Sequence, residues 1–283
     1  PIMIGGPHAT LYTDILEQIP GIDYIFRGEA ELTLLEVIEK AKKEKKPQII
    51  NSEYLVDLDT LPFPDYKSFY DWQSMTNYSI MTSRGCPFQC SFCASAGLAY
   101  RRWRPRNPEK CIQELEKAQK EISPNLKFVV FDDNPITDKE RFNNFLKMYS
   151  QRIKAELTVV NVRADGVTDE FLRLLKKCRV NFISVGVEHA HPEVFKSINK
   201  GETLEQIEKA ALLIKKYNIG LGLSFVIGVP GDTLERTKAS IKFCKKVKAD
   251  EYSINLISPY RYTAAREWFE KNNAKLYNEI GYD

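Results

Sequence analysis

The sequence predicts an α/β protein made of two series of alternating strands and helices. Three observations lead there. Short apolar, β-branched runs alternate with longer stretches of helical periodicity. The runs end on glycine or on polar residues, as strands entering turns do. Between the two series, residues 44–75 carry Lys-rich, polar and Pro-containing stretches, including Leu61-Pro62-Phe63-Pro64-Asp65. Proline there blocks helix and central strand alike. Alternation of this kind specifies a mainly parallel sheet. The expected division is a first domain over residues 1–50, a linker over 51–76 and a larger domain over 77–283.

The first series reads as strand 2–4, loop 5–10, helix 11–19, strand 24–26 and helix 31–43. Two βα units do not complete a doubly wound domain. The chain also opens on a strand without an initiator Met, so residues 1–50 are expected to be the C-terminal part of a domain that begins upstream. The second series starts with strand 78–82. A helix follows, opened by Asn107 as N-cap and Pro108 in the first turn. Then come strand 127–131, helix 139–153, strand 157–162, helix 169–177, strand 182–187, helix 204–217, strand 221–227, helix 233–247, strand 251–257 and helix 264–272. Six βα units suit a partial, open (β/α) barrel, since a full one has eight.

Composition narrows the function classes. A chain of 283 residues at 43% hydrophobic content can bury one large core or two smaller ones. The formal net charge of +3 gives no global case for nucleic acid as a partner. No stretch approaches the roughly 20 apolar residues of a membrane span, and no signal peptide is visible. Six cysteines in a chain this long make no disulfide framework. Three of them are clustered, which points to a reducing, cytoplasmic setting. Cys111, Cys178 and Cys244 fall in helix-like segments and are expected to be small buried hydrophobes.

The clustered three lie in Arg84-Gly85-Cys86-Pro87-Phe88-Gln89-Cys90-Ser91-Phe92-Cys93, a C-x3-C-x2-C spacing. Three thiolates on one tight loop can hold three irons of a cubane cluster and leave the fourth for a ligand. A structural zinc site usually closes with four ligands. The next cysteine is Cys111, and the only histidines are His8, His189 and His191, so the trio reads as an open site. On spacing alone, a zinc loop or unrelated cysteines remain alternatives.

The loop resembles the radical S-adenosylmethionine (SAM) superfamily, whose signature is C-x3-C-x-aromatic-C; the aromatic here is Phe92. The resemblance implies a [4Fe–4S] cluster on Cys86, Cys90 and Cys93, with SAM chelating the open iron. It implies one-electron cleavage of SAM to a 5′-deoxyadenosyl radical and an external electron donor such as flavodoxin or ferredoxin. The superfamily commonly has the six-unit barrel that the pattern predicts.

In such barrels the working residues sit at the C-terminal ends of strands. Here those ends read Phe131-Asp132-Asp133-Asn134, Asn161-Val162-Arg163-Ala164-Asp165, Gly186-Val187-Glu188-His189, Ile227-Gly228-Val229-Pro230-Gly231-Asp232 and Ser258-Pro259-Tyr260. Each has a structural reading: Asp232 as a helix cap, Arg163–Asp165 as a local ion pair. By resemblance, Asp132 and Asp133 lie in the segment that meets the SAM amino group. Glu188 resembles the carboxylate that holds the ribose hydroxyls, and Arg163 a basic group beside the SAM carboxylate. Gly228 and Pro230 resemble backbone that admits adenine where a Cβ would obstruct. Phe92 is expected to pack near the adenine. His189 stands where the family often has Ser and is expected to be an ordinary satisfied histidine.

The N-terminal part, Gly5-Gly6-Pro7-His8-Ala9-Thr10 followed by Gly28-Glu29-Ala30-Glu31, resembles the end of the doubly wound, Rossmann-like cobalamin-binding domain of one radical SAM class. It implies that Gly5, Gly6 and His8 bind cobalamin, glycines letting a flat corrin approach the backbone. The run Tyr100-Arg101-Arg102-Trp103-Arg104-Pro105-Arg106 reads either as a solvated loop or as a contact to anionic cofactor groups, substrate or nucleic acid, and the resemblance leans toward the cofactor. The implied activity is a cobalamin-dependent radical SAM methyltransferase acting on an unactivated carbon of a small-molecule or peptide substrate; some relatives cyclise or rearrange instead. Two alternatives stand beside it. A methylthiotransferase of tRNA or protein needs three further cysteines upstream, and residues 1–85 contain none. A non-enzymatic, metal-stabilised binding module is the other.

Overall fold

The structure, a computed structural model, describes residues 1–43, 48–99 and 101–272. In chain order its elements are β1 (Met3–Ile4), α1 (Pro7–Leu11), α2 (Thr13–Leu16), β2 (Tyr24–Arg27), α3 (Leu34–Lys43), β3 (Gln48–Asn51), β4 (Asn77–Ile80), β5 (Ser83–Arg84) and α4 (Ser95–Ala99). They continue with β6 (Arg104–Pro105), α5 (Pro108–Glu121), β7 (Lys127–Val130), α6 (Lys139–Arg152), β8 (Leu157–Val162), α7 (Asp169–Lys177), β9 (Val180–Glu188) and α8 (Pro192–Ile198). The last are α9 (Leu204–Lys216), β10 (Gly220–Ile227), α10 (Leu234–Val247), β11 (Glu251–Leu256) and α11 (Ala264–Lys271).

Two compact units result. The first comprises Pro1–Val56, Gln89–Arg102 and Ser258–Asp283; the second comprises Asp57–Phe88 and Trp103–Ile257. The stretch read as a linker thus contributes to both. The first unit holds a parallel three-stranded sheet in the order β1-β2-β3. Its buried apolar side chains form two small groups. Tyr24, Phe26, Val37 and Ala41 make one, and Ala9, Leu16 and Ile25 the other.

The second unit carries a six-stranded parallel sheet in the order β11-β10-β9-β8-β7-β4. Strand order follows chain order, as six successive βα units require. Helix α5 starts as the sequence prescribes, with the Asn107 side chain accepting from the Glu109 N–H and Pro108 in the first turn. Helix α9 opens on a capping box between Thr203 and Gln206. Alternate residues of the strands face one continuous core with the helices, including Phe128, Val130, Val159, Ile183, Val185, Leu221 and Phe225. Cys111 and Cys178 lie in that core. Burial pushes each thiol up to about 12, so both are inert small hydrophobes at neutral pH. Among the described residues no helix is long and apolar enough to cross a membrane.

Candidate active site

The polar residues at the C-terminal strand ends of the second unit are organised largely by one another. Asp132, just beyond β7, is fully buried. Its carboxylate accepts from the Thr82 N–H at 2.6 Å, the Thr82 hydroxyl at 2.7 Å and the Ser83 hydroxyl at 2.6 Å. Burial pushes its pKa up, and those hydrogen bonds oppose the rise. Asp133 accepts from the Gly85 N–H at 2.9 Å, where the backbone turns at φ +84°. The two carboxylates therefore template residues 82–85, the run that leads into Cys86. Arg141 of α6 adds bonds to the carbonyls of Thr82 and Arg106.

A second cluster sits at the ends of β8 and β9. Glu188 closes β9 with φ +67°, and the pairing with β10 slips by one residue just before it, a bulge that re-aims the side chain. Its Oε1 pairs with Lys200 Nζ at 3.0 Å. No described residue bonds Oε2. The ammonium also donates to the Gly186 carbonyl. A Cβ at Gly186 would lie 2.2 Å from Glu188 Oε1 and 2.7 Å from Lys200 Nζ, so glycine there makes room for the pair. Arg163 donates to Asp165 at 2.8 Å and to the Lys200 carbonyl at 2.8 Å, and its guanidinium lies 3.6 Å from the Phe88 ring centroid. Glu202, its side chain wholly buried, accepts from the Asp165 N–H and lies 3.5 Å from Lys200 Nζ. Two cations and three carboxylates thus form one network, buried at Arg163, Lys200 and Glu202 and reaching water at Asp165.

The loop after β10 is the third element. Gly228 has φ +80°, and Asp232 closes the loop by accepting from the Gly228 N–H at 2.8 Å. Pro230 is buried, and its carbonyl accepts from Ser197 of α8 at 3.0 Å. Thr233, not Asp232, caps α10.

The cysteine loop is divided between the units: Cys86 belongs to the second, Cys90 and Cys93 to the first. None of the three is in a disulfide, and all are half-buried. Cys93 N–H donates to the Cys90 carbonyl at 3.1 Å, a tight turn, and its thiol meets the Ser95 hydroxyl at 3.2 Å. Phe92 in the same turn is half-buried. The donor set, three thiols on one loop without a fourth protein ligand nearby in sequence, suits an iron–sulfur cubane better than closed zinc.

In the first unit, Gly5, Gly6 and His8 are exposed. Gly6 has φ +88°, and a Cβ there would meet nothing within 4 Å. The His8 ring stacks on Tyr12 at 4.9 Å. Thr10 fastens the loop, donating to the Gly6 carbonyl at 2.9 Å and accepting from the Gly28 N–H at 3.0 Å. Glu29 then accepts from the Leu55 N–H at 3.0 Å. The basic run is split in role. Arg104 is buried in the β5–β6 pair and Arg106 binds Glu114 at 2.5 Å, while Arg101 and Arg102 are exposed. Tyr100 lies outside the described residues.

Lys200 and Glu202 carry no expectation from sequence. In Asn199-Lys200-Gly201-Glu202 they look like solvated loop charges. Their one signal is Gly186, a glycine near a strand end whose purpose shows only in three dimensions.

A parallel α/β sheet with charge gathered at its C-terminal strand ends, in a chain that also carries a three-thiol loop, points to a cofactor-dependent enzyme. The Radical SAM superfamily model matches residues 80–244, and the chain belongs to that family. Among curated proteins it is 29% identical to an uncharacterized methyltransferase, PH0819, of Pyrococcus horikoshii, over 97% of this chain and 64% of that protein. The chain spans about half the length of the curated relatives it matches. The radical SAM methyltransferase TsrM of Kitasatospora setae, with tryptophan and a SAM analogue bound, superposes with a TM-score of 0.78 at 18% identity, covering 97% of this chain and 58% of TsrM. The cobalamin-dependent SAM radical enzyme OxsB, with aqua-cobalamin and SAM bound, gives 0.64 at 22% identity, covering 96% of this chain and 42% of OxsB.

Proposed function

We propose that the protein is a cobalamin-dependent radical SAM methyltransferase acting on an unactivated carbon. The observation that carries the reading is the Glu188–Lys200 pair at the end of β9. Lys200 fixes one carboxylate oxygen and leaves the other free for ribose hydroxyls. Cys86, Cys90 and Cys93 would hold the cluster. Asp132, wholly buried, sets the course of the chain into Cys86, and Asp133, exposed beside it, is the one of the two able to meet the SAM amino group. Arg163, stacked on Phe88 and bound to Asp165, stiffens the loop that carries Lys200. Gly228 and Pro230 offer backbone for adenine, and Phe92 an apolar face. The exposed Gly5–Gly6 surface and His8 suit a flat corrin, since no described atom stands within 4 Å above Gly6. Bound together, the cluster and SAM supply a substrate radical and cobalamin carries the methyl group.

The test uses the whole protein, purified without oxygen and supplied with cobalamin. It is expected to carry about four irons and four sulfides and a corrin spectrum. Cys86→Ala, Cys90→Ala or Cys93→Ala abolishes the cluster, whereas Cys111→Ala, Cys178→Ala and Cys244→Ala do not. Turnover that yields S-adenosylhomocysteine and 5′-deoxyadenosine together marks methyl transfer; 5′-deoxyadenosine alone marks cyclisation or rearrangement. A folded protein with a normal cluster and no corrin sinks the cobalamin assignment.

A further inference from the structure

His189 follows Glu188 directly and is wholly buried. Its Nδ1 accepts from the His191 N–H at 3.0 Å, so the ring proton sits on Nε2. Nε2 then donates to Asp232 Oδ1 at 3.0 Å. Asp232 is almost fully buried at its side chain. The same carboxylate accepts from the Gly228 N–H at 2.8 Å, the Thr233 N–H at 2.7 Å and the Thr237 hydroxyl at 3.1 Å. One side chain therefore closes the base of the 228–232 loop and ties it to the residue after Glu188. A serine here ends one bond beyond Cβ and does not fill the span the imidazole bridges. The neighbouring Ala190 N–H donates to Ser240 of α10 at 3.1 Å, which holds the same junction from the other side.

We propose that His189 is a positioning residue that registers the 228–232 loop against Glu188. Through Asp232 it sets the adenine-facing backbone and the ribose-facing carboxylate at a fixed separation, and so selects an adenosyl ligand as a unit. The inference rests on the reading that Glu188 and Gly228 contact SAM. Because the imidazole donates to a buried carboxylate, its loss removes a bond that water does not replace and frees the loop.

The experiment uses the whole, cluster-loaded protein. Affinities for SAM, 5′-deoxyadenosine and methionine are measured by calorimetry, and amide exchange is followed at residues 227–232. His189→Ala is expected to weaken SAM and 5′-deoxyadenosine about tenfold, to leave methionine unchanged, and to raise exchange at Gly228. His189→Gln, whose amide also donates, recovers most of the affinity. If Glu188→Ala weakens SAM and His189→Ala does not, the inference is overturned while the site reading stands. Should neither variant change SAM affinity, the site reading itself fails, and the inference with it. Equal losses for methionine and the nucleoside would show a merely structural role. Should His189→Ala not fold, His189→Phe, which keeps the ring volume but cannot donate to Asp232, carries the same readouts.

Discussion

The glycine-built loop of the first unit and the charge-built strand ends of the second are held in shape by opposite means. In the first, Gly5, Gly6 and His8 are exposed and the loop is held by Thr10 and by left-handed turns at Gly6 and Gly28. In the second, Asp132 is buried against Thr82 and Ser83, while Arg163, Lys200 and Glu202 are buried and brace one another. The difference follows from core size. Two small apolar groups cannot shield a charge from water, whereas the continuous core behind β7–β10 supplies the low dielectric in which ion pairs become rigid.

The sharpest way to break this contrast is Lys200→Met. It leaves Glu188 and Glu202 facing each other without their shared ammonium and should cost about 3 kcal/mol of unfolding free energy in a urea titration. A loss near zero would mean the cluster is solvated after all. Next in size is Gly28→Ala. Its φ of +87° disfavours a side chain, and the added Cβ would fall 2.7 Å from the Ser52 carbonyl oxygen. A cost of about 2–3 kcal/mol is expected.

The pH dependence of stability separates the regions further. Burial holds the His189 pKa below its ordinary value, against the pull of Asp232. Below the unfolded value of about 6.5 the unfolded chain binds the proton that the folded chain refuses. Stability is therefore complete above that pH and declines as pH falls toward the folded value, by at most ~1.4 kcal/mol per pH unit. His189→Gln should flatten that part of the curve, and an unchanged slope assigns it elsewhere. Smallest is Gly6→Ala: φ is again positive, at +88°, but the space is open, so only the conformational cost of about 1 kcal/mol remains. Equal losses at Gly6 and Gly28 would erase the distinction between an open loop and a packed one.

Much of this was legible in the sequence because strand and helix periods leave local traces. β8, α7 and the starts of α5 and α9 fall where their apolar spacing and caps put them. The helix expected over 11–19 is instead two short helices, Pro7–Leu11 and Thr13–Leu16, broken at Tyr12. Strand β3, with only Gln48–Asn51, is too short to show alternation and was hidden in the Lys- and Pro-rich stretch. Helix α8 carries a signal in Pro192 at its first turn, but seven residues give barely two turns of pattern. The strand-end residues could be singled out as charges that close apolar runs. Their partners could not, because Lys200 reaches Glu188 across 12 residues and His189 reaches Asp232 across 43. Such pairings are set by how β9, α8 and β10 stack, which no local window contains.

Gly186 carries a consequence for anyone who diversifies this enzyme. An added Cβ would fall 2.2 Å from the Glu188 carboxylate and 2.7 Å from the Lys200 ammonium, the far ends of two flexible side chains, so any larger residue makes the pair shift. A library randomised across the end of β9 and selected for SAM-dependent turnover should return glycine at 186 first, whatever it tolerates at its neighbours. Diversity at this strand end is expected to enter first at positions other than 186, because a side chain there has to displace the ion pair before it finds room.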